Sequence, residues 1–420
     1  MTSATMTTQA HGAALEVDRP EAADPRVIMA MMGSREHYQP MISACEHGNL
    51  ARLITDFWFP PSNPMLRCVR ALPAGTAAYL ETRFAGELRR ADVVALAGVG
   101  TLQHVGVRLK LGRRFQYRVY SLAGRRFAQR CIRHLDVPHT AFLGFTSTAL
   151  EALEHENRAG VLTVLDQIDA GKTGEEIAFA EMARHKKWVL HGLDPVPDEF
   201  FERLRAEWSV ARRIIVNSAW SKSALTQQGV PAGKIKVCPL ACKPSESPAR
   251  PRFHERPRFR VLWLGRLSLG KGIVYAIEAA RMLERHNVDF TFAGPIDVRL
   301  PALPANCTYI GRIPQSQVGT QYGSHDLFIF PTLSDGFGRT QLEAMAHGLP
   351  VIATPNCGEV VEHGISGLIV PLRDSRALAE AILEICGNRS KIEAMSAAAV
   401  RRSRDFTPDR VWQTFRACLV

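Results

Sequence analysis

Residues Pro331–Thr354 read PTLSDGFGRTQLEAMAHGLPVIAT, and the order of features within them decides the fold. The run before them, DLFIFP (Asp326–Pro331), is continuously apolar, as in a strand covered on both faces. Gly336 and Gly338 then turn the chain, LEAMA continues as an amphipathic helix, and PVIAT starts a second covered strand. Strand, loop, helix and strand make a parallel βαβ unit. In open sheets of this kind ligands sit beyond the carboxyl ends of the strands, which is where SDGFG falls. Asp335 lies in that loop, and Glu343 lies about one and a half turns into the helix. Carboxylates so placed reach two parts of one ligand and accept hydrogen bonds from its hydroxyls. The plainer alternative makes Asp335 a helix cap and Glu343 a surface residue.

The same rhythm runs outward in both directions. FRVLWLG, VDFTFAG, CTYIG and GLIVP read as further strands after residue 258, and Asp374 is an N-cap candidate for a helix that Gly387 ends. Before residue 244, VIMAM, HTAFLGF, GVLTVLD, ARRIIVNS and KIKVCPL read as strands, and Ser218 caps AWSKSALTQQG. Between the two series lies PLACKPSESPARPRFHERPRF, with five prolines, mixed charge and no apolar period. The sequence predicts an α/β protein of two doubly wound, Rossmann-like domains facing across a cleft. Their expected bounds are a polar tail at 1–25, a first domain at 26–243, a linker at 244–258, a second domain at 259–403 and a terminal helix at 404–420.

Composition narrows the function. Hydrophobic residues are 46% and charged residues 22% of the 420, an ordinary balance that excludes fibrous and disordered classes. No apolar run approaches the ~20 residues of a membrane span, and the first 25 residues hold no secretory apolar core. Nine scattered cysteines without a C-x-x-C pair suggest neither a disulfide framework nor a zinc site. A cytoplasmic setting is expected. The net charge of +11 is concentrated in part between Arg108 and Arg133, where nine Lys or Arg occur with no Asp or Glu. Leu, Phe, Tyr and Val interleave with them. That stretch is either a surface for anionic lipid, with the protein peripheral at the inner face of a membrane, or a solvated face whose stems lie over the core. No nucleic-acid-binding motif or aromatic platform is present, so nucleic acid is not an expected partner.

A second loop follows the strand FRVLWLG. In GRLSLGKG (Gly265–Gly272) the spacing Gly265-x4-Gly270-Lys271 matches a phosphate loop except at its last position, where Gly272 replaces the hydroxyl residue that would hold magnesium. DQIDAGKT is a weaker near miss, keeping Lys172 and Thr173 but starting with Asp166. What remains in the first loop is a pair of cations, Arg266 and Lys271, ahead of a helix N-terminus, a setting for a diphosphate held without a metal. A solvated cationic turn is the alternative.

With both loops in view, the region from Val261 to about Phe415 resembles the donor-binding half of retaining glycosyltransferases of family 4, which have the GT-B fold. Their signature is E-x7-E within EGFGLxxLEAMAxGxPVIAT, and this chain reads DGFGRTQLEAMAHGLPVIAT. VNSAWSKSALTQQGVPAGKIKVCPL and FTPDRVWQTF are similar to the end of the family's acceptor domain and to its last helix. The resemblance implies that Arg266 and Lys271 bind a donor diphosphate and Glu343 the ribose. It assigns Asp335 to the transferring sugar, the Gly336, Phe337 and Gly338 backbone to sugar or phosphate, and Arg312 and Ile313 to the base. Three departures stand out. Asp335 replaces the usual Glu, Gly33-Ser34 stands where a glycine pair often follows the first strand, and RTQ replaces apolar residues.

The resemblance implies a retaining, metal-independent transfer of sugar from a nucleoside diphosphate sugar, which is substrate and not cofactor. The acceptor would be a sugar or lipid-linked hydroxyl, in bacterial glycolipid or polysaccharide synthesis. On the acceptor side Gly33, Ser34, His139 and Ser147 are candidates, with His104 and Thr148 behind them. Each is also readable as structural. A nucleotide-sugar epimerase of the same fold and a silent, glycosyltransferase-like binding protein are the competing functions.

Overall fold

The computed structural model describes residues 24–63, 77, 80–109, 111–190, 194–245 and 258–420. The expected tail and linker lie outside these residues, apart from residues 24, 25, 244, 245 and 258. The first half builds seven strands: β1 (Val27–Met31), β2 (Leu50–Thr55), β3 (Val93–Ala95), β4 (Ala141–Phe145), β5 (Leu162–Gln167), β6 (Arg213–Val216) and β7 (Ile235–Val237). They form one sheet in the order β3-β2-β1-β4-β5-β6-β7, parallel throughout. The second half builds six: β8 (Phe259–Leu264), β9 (Val288–Ala293), β10 (Cys307–Tyr309), β11 (Leu327–Phe330), β12 (Val351–Ala353) and β13 (Gly367–Ile369). Their order is β10-β9-β8-β11-β12-β13, again parallel. Each sheet therefore reverses its winding beside its first strand, and loops leaving the two strands at that point diverge to leave a crevice.

Alternation along the strands divides each half into two apolar layers. In β1, Ile28 and Ala30 join one buried cluster, while Val27, Met29 and Met31 join the other. In β8, Val261 and Trp263 pack beneath helices 273–282 and 375–386, whereas Leu262 faces the layer with Phe328, Leu342 and Met345. The terminal helix Pro408–Arg416 returns to the first half, where Trp412 and Phe415 are buried with Val27, Met29 and Met41. The N-caps read from the sequence are present. Ser218 accepts from Ser221 N–H at 3.1 Å, and Asp374 from Ala377 N–H at 2.8 Å.

The loop after β8 explains its unfinished phosphate-loop pattern. Gly272 has φ +77° and ψ 25°, ending the turn Leu269–Lys271 and starting helix Ile273–Met282. A Cβ at this glycine would lie 2.0 Å from the Pro331 carbonyl oxygen. The position that a phosphate loop gives to Ser or Thr is thus closed here by a left-handed turn and by backbone. Replacing Gly272 with Ser should cost at least ~2 kcal/mol and lower the apparent thermal midpoint by a few degrees. A midpoint equal to that of the parent would show that the turn does not need a left-handed residue.

Candidate active site

Two loops of the second half and three of the first converge at the carboxyl edges of the sheets. From the second half come Gly265–Gly272, after β8, and Pro331–Gly338, after β11. From the first come Met32–Tyr38 after β1, Ile168–Gly171 after β5, and Asn217 after β6. Together they enclose a cavity of about 420 Å³. Its second-half wall includes Arg266, Lys271, Asp335, Phe337, Gly338 and Arg339. Arg35, Glu36, Ile168 and Asn217 line the first-half wall.

Backbone bonds fix the second-half wall. Leu333 N–H donates to the Gly270 carbonyl at 2.9 Å, locking the two loops together, and Asp335 N–H donates to the Asn356 carbonyl at 2.9 Å. Lys271 and Asp335 form an ion pair, and the other Asp335 oxygen accepts from Phe337 N–H at 3.3 Å. Arg266 is exposed at the mouth and makes no ion pair among the described residues. Gly338 begins helix Arg339–Ala346 at φ +80°. A Cβ there would sit 2.4 Å from the Phe330 ring, so only glycine lets this helix N-terminus approach the cavity.

Glu343 lies around the corner. It pairs with Arg339 at 2.9 Å and accepts from the Tyr322 hydroxyl at 3.2 Å. With His37, Tyr322 and His347 it lines an adjoining cavity of about 500 Å³, and Glu36 and Arg339 border both spaces. The structure thus gathers Arg266, Lys271, Asp335, Phe337 and Gly338 in one cavity and sets Glu343 in the next. Gly336 is part of the interface between the halves, since a Cβ on it would lie 1.9 Å from the Ile168 carbonyl oxygen. Arg312 and Ile313 line neither space. They lie between β10 and helix Gln315–Gly323, whose Gln315 and Val318 do border the Glu343 cavity.

The acceptor-side residues read from the sequence fall elsewhere. His139 precedes β4, at the amino edge of the sheet, and its ring nitrogens bond the Val137 carbonyl at 2.7 Å and Glu156 at 2.9 Å. Burial beside Glu156 makes this a structural ion pair, and hydrogen bonding to that carboxylate raises the His139 pKa. Ser147 occupies a left-handed position, φ +69°, with its N–H on Glu207 at 2.6 Å and its carbonyl on Arg203 at 3.0 Å. It supports the helix that follows and lies outside the cavity lining. Thr148 bonds the Phe145 carbonyl, and His104 sits on helix Ala97–Arg108, also outside that lining. Gly33 N–H donates to Asp56 at 3.1 Å and Ser34 meets Thr82 at 3.3 Å, so both hold the loop and neither lines the space.

The residues that do reach in are the next two, Arg35 and Glu36. The strand-end rule applied to VIMAM as it was to DLFIFP points to them, and it points equally to IDAG after β5. Burial raises the carboxyl of Glu36 to about 7, with Arg339 and Arg35 opposing, and it pushes Asp166 and Asp169 up as well. Among the described residues no group of three or more His, Cys, Asp or Glu is arranged to hold a metal ion.

The halves are tied together around this cavity. Glu181, on helix Lys172–Arg184, is fully buried. It accepts from the Tyr275 hydroxyl and from Arg373 at 2.7 Å, both in the second half, and meets His185 at 3.0 Å. Glu359 of the second half accepts from Ala219 and Trp220 N–H, at 3.1 and 3.3 Å, at the start of helix Ala219–Gln227. Trp220 Nε1 donates to Ser334 at 3.2 Å.

Known proteins place this geometry. The family model described as "Glycosyl transferases group 1" matches residues 258–388. The amylovoran biosynthesis glycosyltransferase AmsK of Erwinia amylovora is 29% identical over 201 residues, covering 43% of this chain and 49% of that protein. The putative colanic acid biosynthesis glycosyltransferase WcaL of Escherichia coli K12 is 28% identical over 235 residues, or 50% and 58% of the two chains. The chain thus spans about half the length of these curated relatives. In overall fold it is similar to HepE of Anabaena, solved with UDP and glucose (TM-score 0.58, 16% identity, 93% of this chain and 98% of that one). The fold likeness extends to TarM (TM-score 0.64, 10% identity, 94% and 98%). Residues 258–388 are thus similar to the glycosyl transferases group 1 model, and they form one half of a GT-B fold of two parallel, Rossmann-like sheets.

Proposed function

We propose that this chain moves a sugar from a nucleoside diphosphate sugar to an acceptor hydroxyl, with retention at the anomeric carbon and without an obligatory metal ion, in bacterial polysaccharide or glycolipid synthesis. The observation that carries the reading is the Lys271–Asp335 ion pair, set with Arg266 and the start of helix Arg339–Ala346 in one interdomain cavity. A diphosphate entering there exchanges partners with it. Lys271 turns from carboxylate to phosphate, Arg266 adds a planar fork, and the helix N-terminus supplies free N–H groups. Asp335, released, takes hydroxyls of the sugar. Glu343 is held by Arg339 and Tyr322 with lone pairs left over for the ribose. The base is assigned to the segment at Arg312 and Ile313, beside the Glu343 cavity. The names of AmsK and WcaL, both polysaccharide biosynthesis glycosyltransferases, support the setting.

Mixing the protein with UDP-glucose, UDP-galactose and GDP-mannose, each with octyl glycosides as acceptors, and measuring released nucleoside diphosphate tests this directly. Release that depends on acceptor and survives excess EDTA is expected. Interconversion of the free nucleotide sugar without acceptor would instead mark an epimerase, and nucleotide binding without any turnover a silent binding protein.

The charged residues should fail in different ways. Lys271→Ala should lower kcat/KM by about two to three orders of magnitude, ~2–4 kcal/mol, since it removes a cation from the departing diphosphate. Asp335→Asn should lower kcat more than it raises KM, because the sugar ring gains positive charge in the transition state. Glu343→Gln should chiefly raise the donor KM. Steady-state kinetics of the three variants check the assignment, and an unaltered Asp335→Asn enzyme would sink the role given to that carboxylate.

We further propose attachment to anionic membranes through the stretch from Arg108 to Arg133, of which Lys110 and the Arg108 side chain lie outside the described structure. Helix Arg113–Cys131 carries Arg114, Arg118, Leu122 and Arg125 on one exposed face, with Leu109 and Leu111 exposed just before it (55% and 62%). Arg113 is instead bound to Glu175. No helix among the described residues is long and apolar enough to cross a membrane. Each cation near an anionic surface contributes about 1 kcal/mol. Sedimentation with phosphatidylserine vesicles should therefore fall with salt, and fall again when Arg114, Arg118, Arg125 and Arg126 are replaced by Gln. Equal binding to neutral vesicles would leave the stretch as a solvated face.

A further inference from the structure

Arg339 stands where the related signature has an apolar residue, and it stands at the unfavourable end of its helix. It is the first residue of helix Arg339–Ala346, whose N-terminus carries partial positive charge, so a cation there is opposed by the dipole. Its ion pair with Glu343, four residues on, runs cation before anion, the weaker of the two orders on a helix. Its Nε is buried and has no hydrogen-bond partner among the described residues, which leaves a desolvated donor uncompensated. An apolar side chain would avoid all three penalties. A charge kept at such a position points to an anion that joins it.

The place of the side chain agrees. Arg339 borders the transfer cavity together with Arg266, Lys271 and Asp335, and it borders the adjoining cavity together with Glu343. Its charge reaches the opposite wall. Burial raises the Glu36 carboxyl to about 7, and Arg339 is the first of the two cations that oppose the rise. Burial also lowers His37, and Arg339 lowers it further. An arginine has several N–H donors to offer, and the side-chain bond this one makes among the described residues is from Nη2 to Glu343 at 2.9 Å. The described second-half walls of the two cavities thus set the cations Arg266, Lys271 and Arg339 against the carboxylates of Asp335 and Glu343, and the N–H groups of the helix start add to the positive side.

We propose that Arg339 is a third donor-binding cation of this site and changes partner when the donor enters: ribose hydroxyls compete for the Glu343 carboxylate, and the guanidinium released from it turns to the diphosphate beside Arg266 and Lys271. This rests on the glycosyl-transfer reading and adds to it a side chain that the sequence resemblance does not assign. During transfer the acceptor oxygen bonds to the anomeric carbon on the face that the diphosphate leaves. The bond from that carbon to the phosphate oxygen breaks, its electron pair goes to the nucleoside diphosphate, and the acceptor proton passes to the departing phosphate oxygen. Arg339 neither takes nor gives a proton. Its planar fork binds phosphate oxygens and spreads the charge that the broken bond puts there.

The exchange couples the two cavities. While the ribose is absent, Glu343 holds Arg339, and a diphosphate meets Arg266 and Lys271 without it. A ribose on Glu343 frees the third cation. Recognition of the ribose and stabilisation of the leaving group are then linked through one side chain, and each favours the other to the same extent. Inorganic pyrophosphate, which has no ribose, gains nothing from the exchange.

The test uses the full chain and whichever of UDP and GDP it binds more tightly, with the matching nucleoside. Arg339→Leu should weaken the nucleoside diphosphate about 10-fold or more by calorimetry. The nucleoside, titrated by NMR, should bind as in the parent or more tightly, because Glu343 is already free. With the nucleotide sugar of highest turnover, kcat/KM should fall by about 10- to 100-fold. Arg339→Lys, which keeps the charge without the fork, should recover part of both losses. A thermal midpoint near the parent's verifies folding, and Arg339→Gln carries the same expectations should the leucine variant not fold. Equal losses for nucleoside and diphosphate would mean that Arg339 only holds Glu343 in place, and unchanged affinity and rate would mean a plain surface pair; either overturns this proposal alone. A parent protein that binds neither UDP nor GDP overturns the transfer reading itself, and this assignment with it.

Discussion

Glu181 holds the two halves of this protein at a fixed distance. Its carboxylate belongs to a residue of the first half that is fully buried, and it is satisfied by Tyr275 and Arg373 of the second together with His185, just past the end of its own helix. A buried carboxylate stripped of such partners is destabilised by ~3–5 kcal/mol, so parting the halves here is strongly opposed unless water enters at the same time. Glu359 adds a second tie at the N-terminus of helix Ala219–Gln227, where its charge complements the helix dipole. The width of the cavity, and so which groups face one another across it, follows from these contacts. Glu36 of the first half and Arg339 of the second border the same two cavities across that interface.

Close approach also dictates where glycine must stand. Gly336 lies against the Ile168 carbonyl, Gly272 against that of Pro331, and Gly338 against the Phe330 ring. Each contact is too short for a Cβ; the first two lie where a loop from one strand touches a loop from another, and the third folds the loop after β11 back on its own strand. The phosphate-loop resemblance of Gly265–Gly272 is therefore partial for a packing reason. Its last glycine, Gly272, serves the fit between the loops after β8 and β11, and the same fit places Lys271 beside Asp335.

Much of this was legible in the sequence because it is written locally. Continuous apolar runs gave both parallel sheets, Ser218 and Asp374 announced their caps, the strand-end rule located Asp335, and the partial phosphate-loop pattern located Arg266 and Lys271. The acceptor wall was not legible in the same way. His139 and Ser147 stand beside apolar runs just as a site residue does, yet one is at the amino edge of its strand, paired with Glu156, and the other holds a backbone turn through Glu207. Those partners are 17 and 60 residues away, and no periodicity encodes them. Glu36 was missed for a related reason. A left-handed turn of three non-glycine residues has no sequence signature, since it is imposed by burial of Tyr38 and by the loop packing around it.

Asp335 shows how a departure from a pattern can have a local cause. Where the related signature has glutamate, this chain has a side chain one methylene shorter, which accepts a hydrogen bond from the N–H two residues ahead, at Phe337. That bond is the Asx turn, which aspartate forms readily and glutamate, with its longer stem, does not. One oxygen thus stabilises the loop whose Gly336 must lie flat on the Ile168 carbonyl, and the other remains for Lys271. The short side chain does two things at once: it shapes the loop and keeps a carboxylate oxygen facing the cavity. A glutamate here would leave Phe337 N–H to find another acceptor and would carry its charge further into a space already bordered by Glu36. The aspartate therefore fits the constraint set by the neighbouring wall, and its length need not mark a decayed site.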